Sequence, residues 1–381
     1  SDKNMLLIKN ARAVYTMAEG ILYDCDILID ETGKITKVGT DIQVQGAQVL
    51  SAEGLVAIPG IIDPHTHYGQ ADYITGETHL NDYSQPITPS FDIKKGIRKD
   101  LGDFDCGVRN GITTVAILPG SANVIGGYAI AVKTYGDTLE QMILKDPIGM
   151  KAAFGANPKG CYGSRGMMPS TEMSVVYLFE KIIQDTREYI DSGKKTYNQD
   201  LEKMVPVIEG KLPLKIHCGT IDIPAILSVC QRYGLRFTLE HAVGASAYVR
   251  EIEQADCDVI FGPTSLGDYD DTVADWKAAI HLIEKGVNVA LMTDGPTNAV
   301  HCLLPELSDL VRLGYPVEKA LRIAINAAKA IGVGDRVGSI EPGKDGDIVL
   351  FRGIPAYDVS ANVQYTIING KVVYKADEKV S

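Results

Sequence analysis

Eight apolar runs recur between residues 56 and 293, and they constrain this chain more than any other feature. They are VAIPGIID (56–63), GITTVAIL (111–118), GYAIAVKT (127–134), GMKAAFG (149–155), LPLKIHC (212–218), LRFTLEH (235–241), DCDVIFG (256–262) and VNVALMT (287–293). Most are continuous rather than alternating, as strands covered on both faces should be. Long amphipathic stretches lie between several of them, notably 171–190 (TEMSVVYLFEKIIQDTREYI) and 270–286 (DDTVADWKAAIHLIEKG), and these read as helices. Strands alternating with helices predict a parallel sheet, and eight such units predict an α/β fold closed as a TIM-like (β/α)8 barrel. The third run follows the second after only a short Gly-rich loop, which is the weakest point of that reading. The ends of the chain have another texture, with short strand-like runs separated by Gly, Asp and Asn turn signals, Asn369-Gly370 among them.

Barrels of this kind carry their chemistry at the C-terminal ends of the strands. The first run ends in Asp63-Pro64-His65-Thr66-His67, the fifth in His217, the sixth in His241, and Asp294 follows the eighth. In extended chain, residues 65 and 67 project to one side, so two imidazoles can clamp one divalent ion. Asp63 shares that parity and is expected to orient one imidazole. His217 and Asp294 would complete a nitrogen and oxygen set with room for water, the donor set of a hydrolytic zinc site. A lone His-x-His carries little weight; four strand ends stopping at ligand types carry the argument. Of the remaining histidines, His79 reads as a loop residue at the surface, His281 as structural within a helix, and His301 as a group that could line the mouth. Cys218 points away from His217 and reads as core.

The balance of 37 Lys and Arg against 49 Asp and Glu, net charge −12, argues against a nucleic-acid partner. The seven scattered cysteines contain no CxxC pair, which with no evident leader suggests a reducing, cytoplasmic setting. The longest apolar stretch is interrupted by Pro119 and several glycines, so no membrane partner is expected.

IPGIIDPHTH, GITTV, KAAFGANPKGCYG, KIHC, EHAVG, LMTDGP and the terminal GSIEPGKDGDIVLF and TIINGKVVY together resemble the amidohydrolase superfamily, in the branch related to imidazolonepropionase. The likeness covers nearly the whole chain. It implies a barrel over 58–337 and a small β-sandwich domain built from the N- and C-terminal segments, 1–57 and 338–381. It implies that His65, His67, His217 and Asp294 bind a metal, Zn2+ with Fe2+ or Mn2+ as alternatives, and that His241 either ligates a second metal or polarises the substrate carbonyl. Many two-metal relatives bridge their ions with a Glu or a carboxylated Lys at the end of strand four. Here Ala156 stands where that Glu is expected. Of the nearby lysines, Lys151 reads as too early and of the wrong parity, and Lys159 lies beyond Pro158, so one ion is expected rather than two.

The function expected is therefore metal-dependent hydrolysis of an amide or cyclic amide C–N bond of a small molecule by metal-bound hydroxide. Asp294 would act as general base and then general acid, and His241 would stabilise the oxyanion. Tyr68, Asn157 and Lys159 are candidate substrate contacts, and Lys159, Tyr162 and Arg165 could attract an anionic group. A deaminase or dipeptidase using the same site, or a catalytically silent scaffold of this fold, are the alternatives. A homo-oligomer is possible by analogy.

Overall fold

The computed structural model describes residues 4–72, 74–263, 270–296 and 303–377. Two eight-stranded sheets organise it. The first is built from both ends of the chain: β1 (Leu6–Tyr15), β2 (Ile21–Ile29), β3 (Ile35–Gly39), β4 (Gln48–Ser51) and β5 (Leu55–Pro59) join three late strands. The second follows chain order through β6 (Ile61–Thr66), β7 (Ile112–Ile117), β8 (Ile125–Lys133), β9 (Ile143–Ala153), β10 (Leu214–Cys218), β11 (Phe237–His241), β12 (Asp258–Phe261) and β13 (Val289–Leu291). The late strands are β14 (Ile348–Arg352), β15 (Asn362–Ile368) and β16 (Lys371–Lys375). β14 runs antiparallel to β5, with Ile348 opposite Pro59, and so stitches the two chain ends together.

All eight apolar runs contain a strand of the second sheet, but two differ from expectation. The run 56–63 is two strands. It breaks at Gly60, where β5 of the first sheet hands over to β6 of the second. A Cβ on Gly60 would lie 1.9 Å from the Thr113 hydroxyl oxygen, so only glycine fits this crossing. The third strand, β8, is antiparallel to both β7 and β9. The seven residues 118–124 between β7 and β8 are too few for a crossover helix, and a short connection forces a hairpin. The sheet is therefore not strictly (β/α)8.

The barrel is nearly closed. Its edge strands meet beyond their ends, where Asp294 N donates to His65 O at 3.2 Å and His67 N to Gly295 O at 2.6 Å. The Asp63 carboxylate accepts from Thr293 N at 3.2 Å and from the Thr293 hydroxyl. Helices Glu172–Asp191 and Ile223–Tyr233 cover the outer face with buried Val175, Phe179, Ile183, Ile226 and Val229. The first sheet is buried on both sides, because side chains alternate along a strand. Ala13, Tyr15, Val56, Ile58, Val349 and Phe351 belong to the barrel's apolar core. Val14, Ala57, Ile348 and Leu350 instead pack with Ile27 and Ile29 in a second core. Among the described residues, no helix is long and apolar enough to cross a membrane.

Candidate metal centre

The structure brings the five predicted strand-end groups together. The rings of His65 and His67 are 5.3 Å apart, those of His65 and His241 4.9 Å, and those of His217 and His241 4.4 Å. Asp294 Oδ1 lies 3.0 Å from His67 Nε2 and 3.5 Å from His65 Nε2. Ligand atoms of His65, His67 and Asp294 all lie within 4.8 Å of one another.

Backbone conformation explains how consecutive residues all face the centre. His241, Ala242 and Asp294 have φ of 70°, 53° and 58°, the left-handed region that non-glycine residues rarely occupy. This turn lets both Glu240 and His241 point inward, where strict alternation would send one outward. Such strain tends to concentrate at functional sites.

Three of the four imidazoles are oriented by an acceptor on Nδ1. That of His65 meets Glu240 Oε1 at 2.9 Å, that of His67 donates to Leu118 O at 2.8 Å, and that of His241 to Gly262 O at 2.9 Å. A carbonyl oxygen only accepts, so Nδ1 carries a proton in both His67 and His241. Burial, together with neighbouring positive groups, holds His65 and His217 well below the usual imidazole pKa. It lowers His241 to about 4. These rings are neutral at pH 7, as ligands must be. Burial pushes Asp294 up, but His67, His241 and Lys151 outweigh it and leave the carboxylate at about 2. Two buried nitrogens, His65 Nε2 and His217 Nδ1, have no hydrogen-bond partner. Buried polar atoms are rarely left so, and here both sit where a cation would satisfy them. The donor set fits a divalent ion.

Two expectations need correction here, and one group was missed. Asp63 does not orient an imidazole; besides Thr293, it accepts from the backbone N of His65 at 3.4 Å, and burial raises it to about 7 despite those bonds. The group that orients His65 is Glu240, which sequence reasoning missed. The available signal was its register: Glu240 pairs with His217 across β10 and β11 and therefore shares its face. Lys151 also faces inward. β9 ends at Ala153, which pairs with His217, and Lys151 pairs with Lys215 one step below. Lys151 is fully buried, its Nζ has no hydrogen-bond partner, and it acts electrostatically on His65, His217, His241 and Asp294. Burial lowers its pKa to about 8, against the pull of Asp294 and Glu240.

The substrate candidates fare unevenly. Tyr68 is fully buried, its ring 5.4 Å from Phe104 and its hydroxyl against Gly107; it is core, because the chain turns after His67. Lys159 Nζ lies 3.3 Å from Glu172 Oε2 and is committed to that pair. Tyr162 donates to Asn123 Oδ1, and Arg165 sits 5.1 Å over its ring while donating to Tyr83 O. Asn157 does reach the centre, with Nδ2 3.4 Å from His217 Nε2. His79 and His281 are half-exposed beside Glu77 and Glu253, Cys218 is buried, and His301 lies outside the described residues.

Residues 270–373 match the Amidohydrolase family. An imidazolonepropionase of Picrophilus torridus is 23% identical over 398 residues, covering 96% of this chain and 97% of that protein. The amidohydrolase tasK of Hapsidospora irregularis is 26% identical over 385 residues, 90% of this chain, which spans only 39% of that protein's length. Among solved structures, an amidohydrolase from Thermotoga maritima superposes with a TM-score of 0.91 at 28% identity, covering 97% of this chain and 100% of that one.

Proposed function

The chain belongs to the amidohydrolase superfamily, in the part related to imidazolonepropionase, and on that premise we propose that it hydrolyses an amide or cyclic amide C–N bond of a small molecule at a divalent-metal centre. The observation that carries this reading is a partnerless buried nitrogen, His65 Nε2, in one cluster with His67 and Asp294, with a second, His217 Nδ1, on the ring that packs against His241. In this reading His65, His67, His217 and Asp294 hold the ion, with Zn2+ the first choice for such a donor set. When bound, the ion acidifies water from 15.7 toward ~7 and polarises a carbonyl. Asp294 takes the proton of the attacking water through a carboxylate oxygen and returns it to the leaving nitrogen. Glu240 holds His65 through Nδ1, and the Leu118 carbonyl holds His67. The 1–57 and 338–381 segments are assigned to a β-sandwich domain beside the 58–337 barrel.

A second reading, with two ions, is favoured by His241 and Lys151. With Nδ1–H committed to Gly262 O, neutral His241 offers a lone pair rather than a proton at Nε2, which suits a ligand better than a donor to an oxyanion. Lys151 supplies a buried amine with a lowered pKa beside the imidazoles. Its reaction with CO2, releasing one proton, would give the anionic bridge that Ala156 cannot.

Metal analysis of dialysed protein, with hydrolysis assayed on amides, cyclic amides, dipeptides and amidines, tests both. One equivalent and chelator-sensitive amide hydrolysis are expected for the first reading. Two equivalents, falling to one in Lys151→Met, are expected for the second. Absence of stoichiometric metal together with absence of chelator-sensitive turnover would overturn the hydrolase and leave the silent scaffold.

A further inference from the structure

We propose that Asn157 is a positioning residue that selects the tautomer of His217 and thereby admits it to the ligand set. This rests on the metal-centre reading above. One atom of the Asn157 amide makes two contacts: it lies 2.7 Å from Ser121 Oγ and 3.4 Å from His217 Nε2. With the amide nitrogen in that place, it donates to His217 Nε2, and the ring proton must sit on Nδ1. That nitrogen is buried and has no partner, so the proton would be stranded in the core. With the amide rotated by a half turn, the carbonyl oxygen occupies the same place. It then accepts from the Ser121 hydroxyl and from His217 Nε2–H together. His217 Nδ1 is left with a lone pair, on a ring 4.4 Å from that of His241. The two orientations have nearly the same shape and opposite hydrogen-bond sense. Only the second makes His217 a ligand, because a metal-binding histidine normally donates its other N–H to an acceptor.

The backbone holds Asn157 where this choice can be made. Phe154 N donates to His217 O at 2.9 Å, tying the end of β9 to that of β10. Gly155 then turns at φ 90°, and a Cβ there would lie 2.8 Å from Asp222 Oδ2. The same Asp222 oxygen accepts from Gly219 N at 2.8 Å, just beyond His217. Asn157 therefore enters the helix Ala156–Gly163 from a fixed point, and its side chain is the acceptor available to His217 Nε2 among the contacts described.

The test is Zn2+ affinity of metal-stripped protein, measured by competition with a chromophoric chelator, together with the 15N NMR signature of the His217 tautomer. Asn157→Asp offers only acceptors and should bind Zn2+ as tightly as wild type or more tightly, with His217 protonated at Nε2. Asn157→Leu, of similar size, offers none; affinity should fall about 10- to 100-fold, with a mixed tautomer. Equal affinity in all three proteins overturns the proposal, as does an equal loss in both variants, which would mark Asn157 as merely structural. If wild-type protein itself binds no Zn2+, the hydrolase reading fails and takes this one with it, an outcome distinguishable from the other two.

Discussion

Two side chains at the centre carry separable tasks. Asp294 contacts both His65 and His67 and is the proton carrier of the proposed reaction. Asp294→Asn keeps the shape but removes the basic oxygen, so kcat should fall by roughly 10²- to 10⁴-fold. Steady-state turnover on a hydrolysed substrate measures it, and undiminished kcat would remove Asp294 from that role. Glu240 touches no reacting atom. Its Oε1 faces His65 Nδ1, and its Oε2 accepts from the Thr238 hydroxyl at 2.7 Å. Glu240→Gln should weaken Zn2+ binding by about 10-fold, readable by chelator competition with the fold intact by circular dichroism. The five ligand-type residues were legible in the sequence because they close four of the eight apolar runs, His65 and His67 sharing one, and need only local pattern to be seen. Glu240 was not, because adjacent residues of a strand normally face opposite ways, and φ 70° at His241 cancels that alternation.

At the scale of elements, two connections shape the barrel. Gly60 is the hinge between β5 and β6, packed so closely on Thr113 that any side chain collides. Gly60→Ala should cost about 1–3 kcal/mol, the usual penalty of overpacking, and appear as a lower midpoint in urea. Thr113→Ala in the same chain should recover part of that loss, since two of the three atoms met, Oγ1 and Cγ2, are removed. If the double variant is no more stable than the single one, the collision is not the cause. The short 118–124 loop likewise makes β8 antiparallel, and its carbonyl at Leu118 accepts from both His67 and Gln70. The existence of eight strands could be read from apolar runs, because burial on both faces leaves a continuous apolar signature. Strand direction could not, since it depends on connection length and on which neighbour pairs first.

Across the whole molecule, a buried ionic cluster joins the barrel to the sheet made from the chain ends. Lys133 of β8 contacts Asp345 at 3.0 Å, Asp347, and Asn369 Oδ1 at 3.2 Å. Arg336 grips Asp345 through Nε at 3.0 Å and a terminal nitrogen at 2.9 Å, and Lys34 pairs with it too. Burial pushes Asp345 up, but Arg336, Lys133 and Lys34 more than offset this and leave it at about 2. A carboxylate depressed on folding stabilises at pH values above its unfolded pKa and loses that contribution as pH falls. From an unfolded value near 3.9, the loss here runs between about pH 4 and pH 2 and totals roughly 2 kcal/mol. Thermal melts across that range should show it, and the acid-side loss should shrink in Asp345→Asn. Lys133→Met leaves Asp347 and Asp345 short of a cation in a nearly dry site and should cost about 3–5 kcal/mol, with little response to added salt. A strongly salt-dependent melting temperature would contradict this burial. The order of apolar runs, their punctuation by glycine, and the residue types at their ends are local properties, so reading along the chain recovered the α/β class and the eight strands of the barrel, and singled out five side chains that the structure brings together. Which way Lys151 points depends on its register with β10, and what steadies His65 is Glu240, 175 residues further along the chain. That register follows from how the whole barrel closes and packs, a balance of contacts no single segment contains.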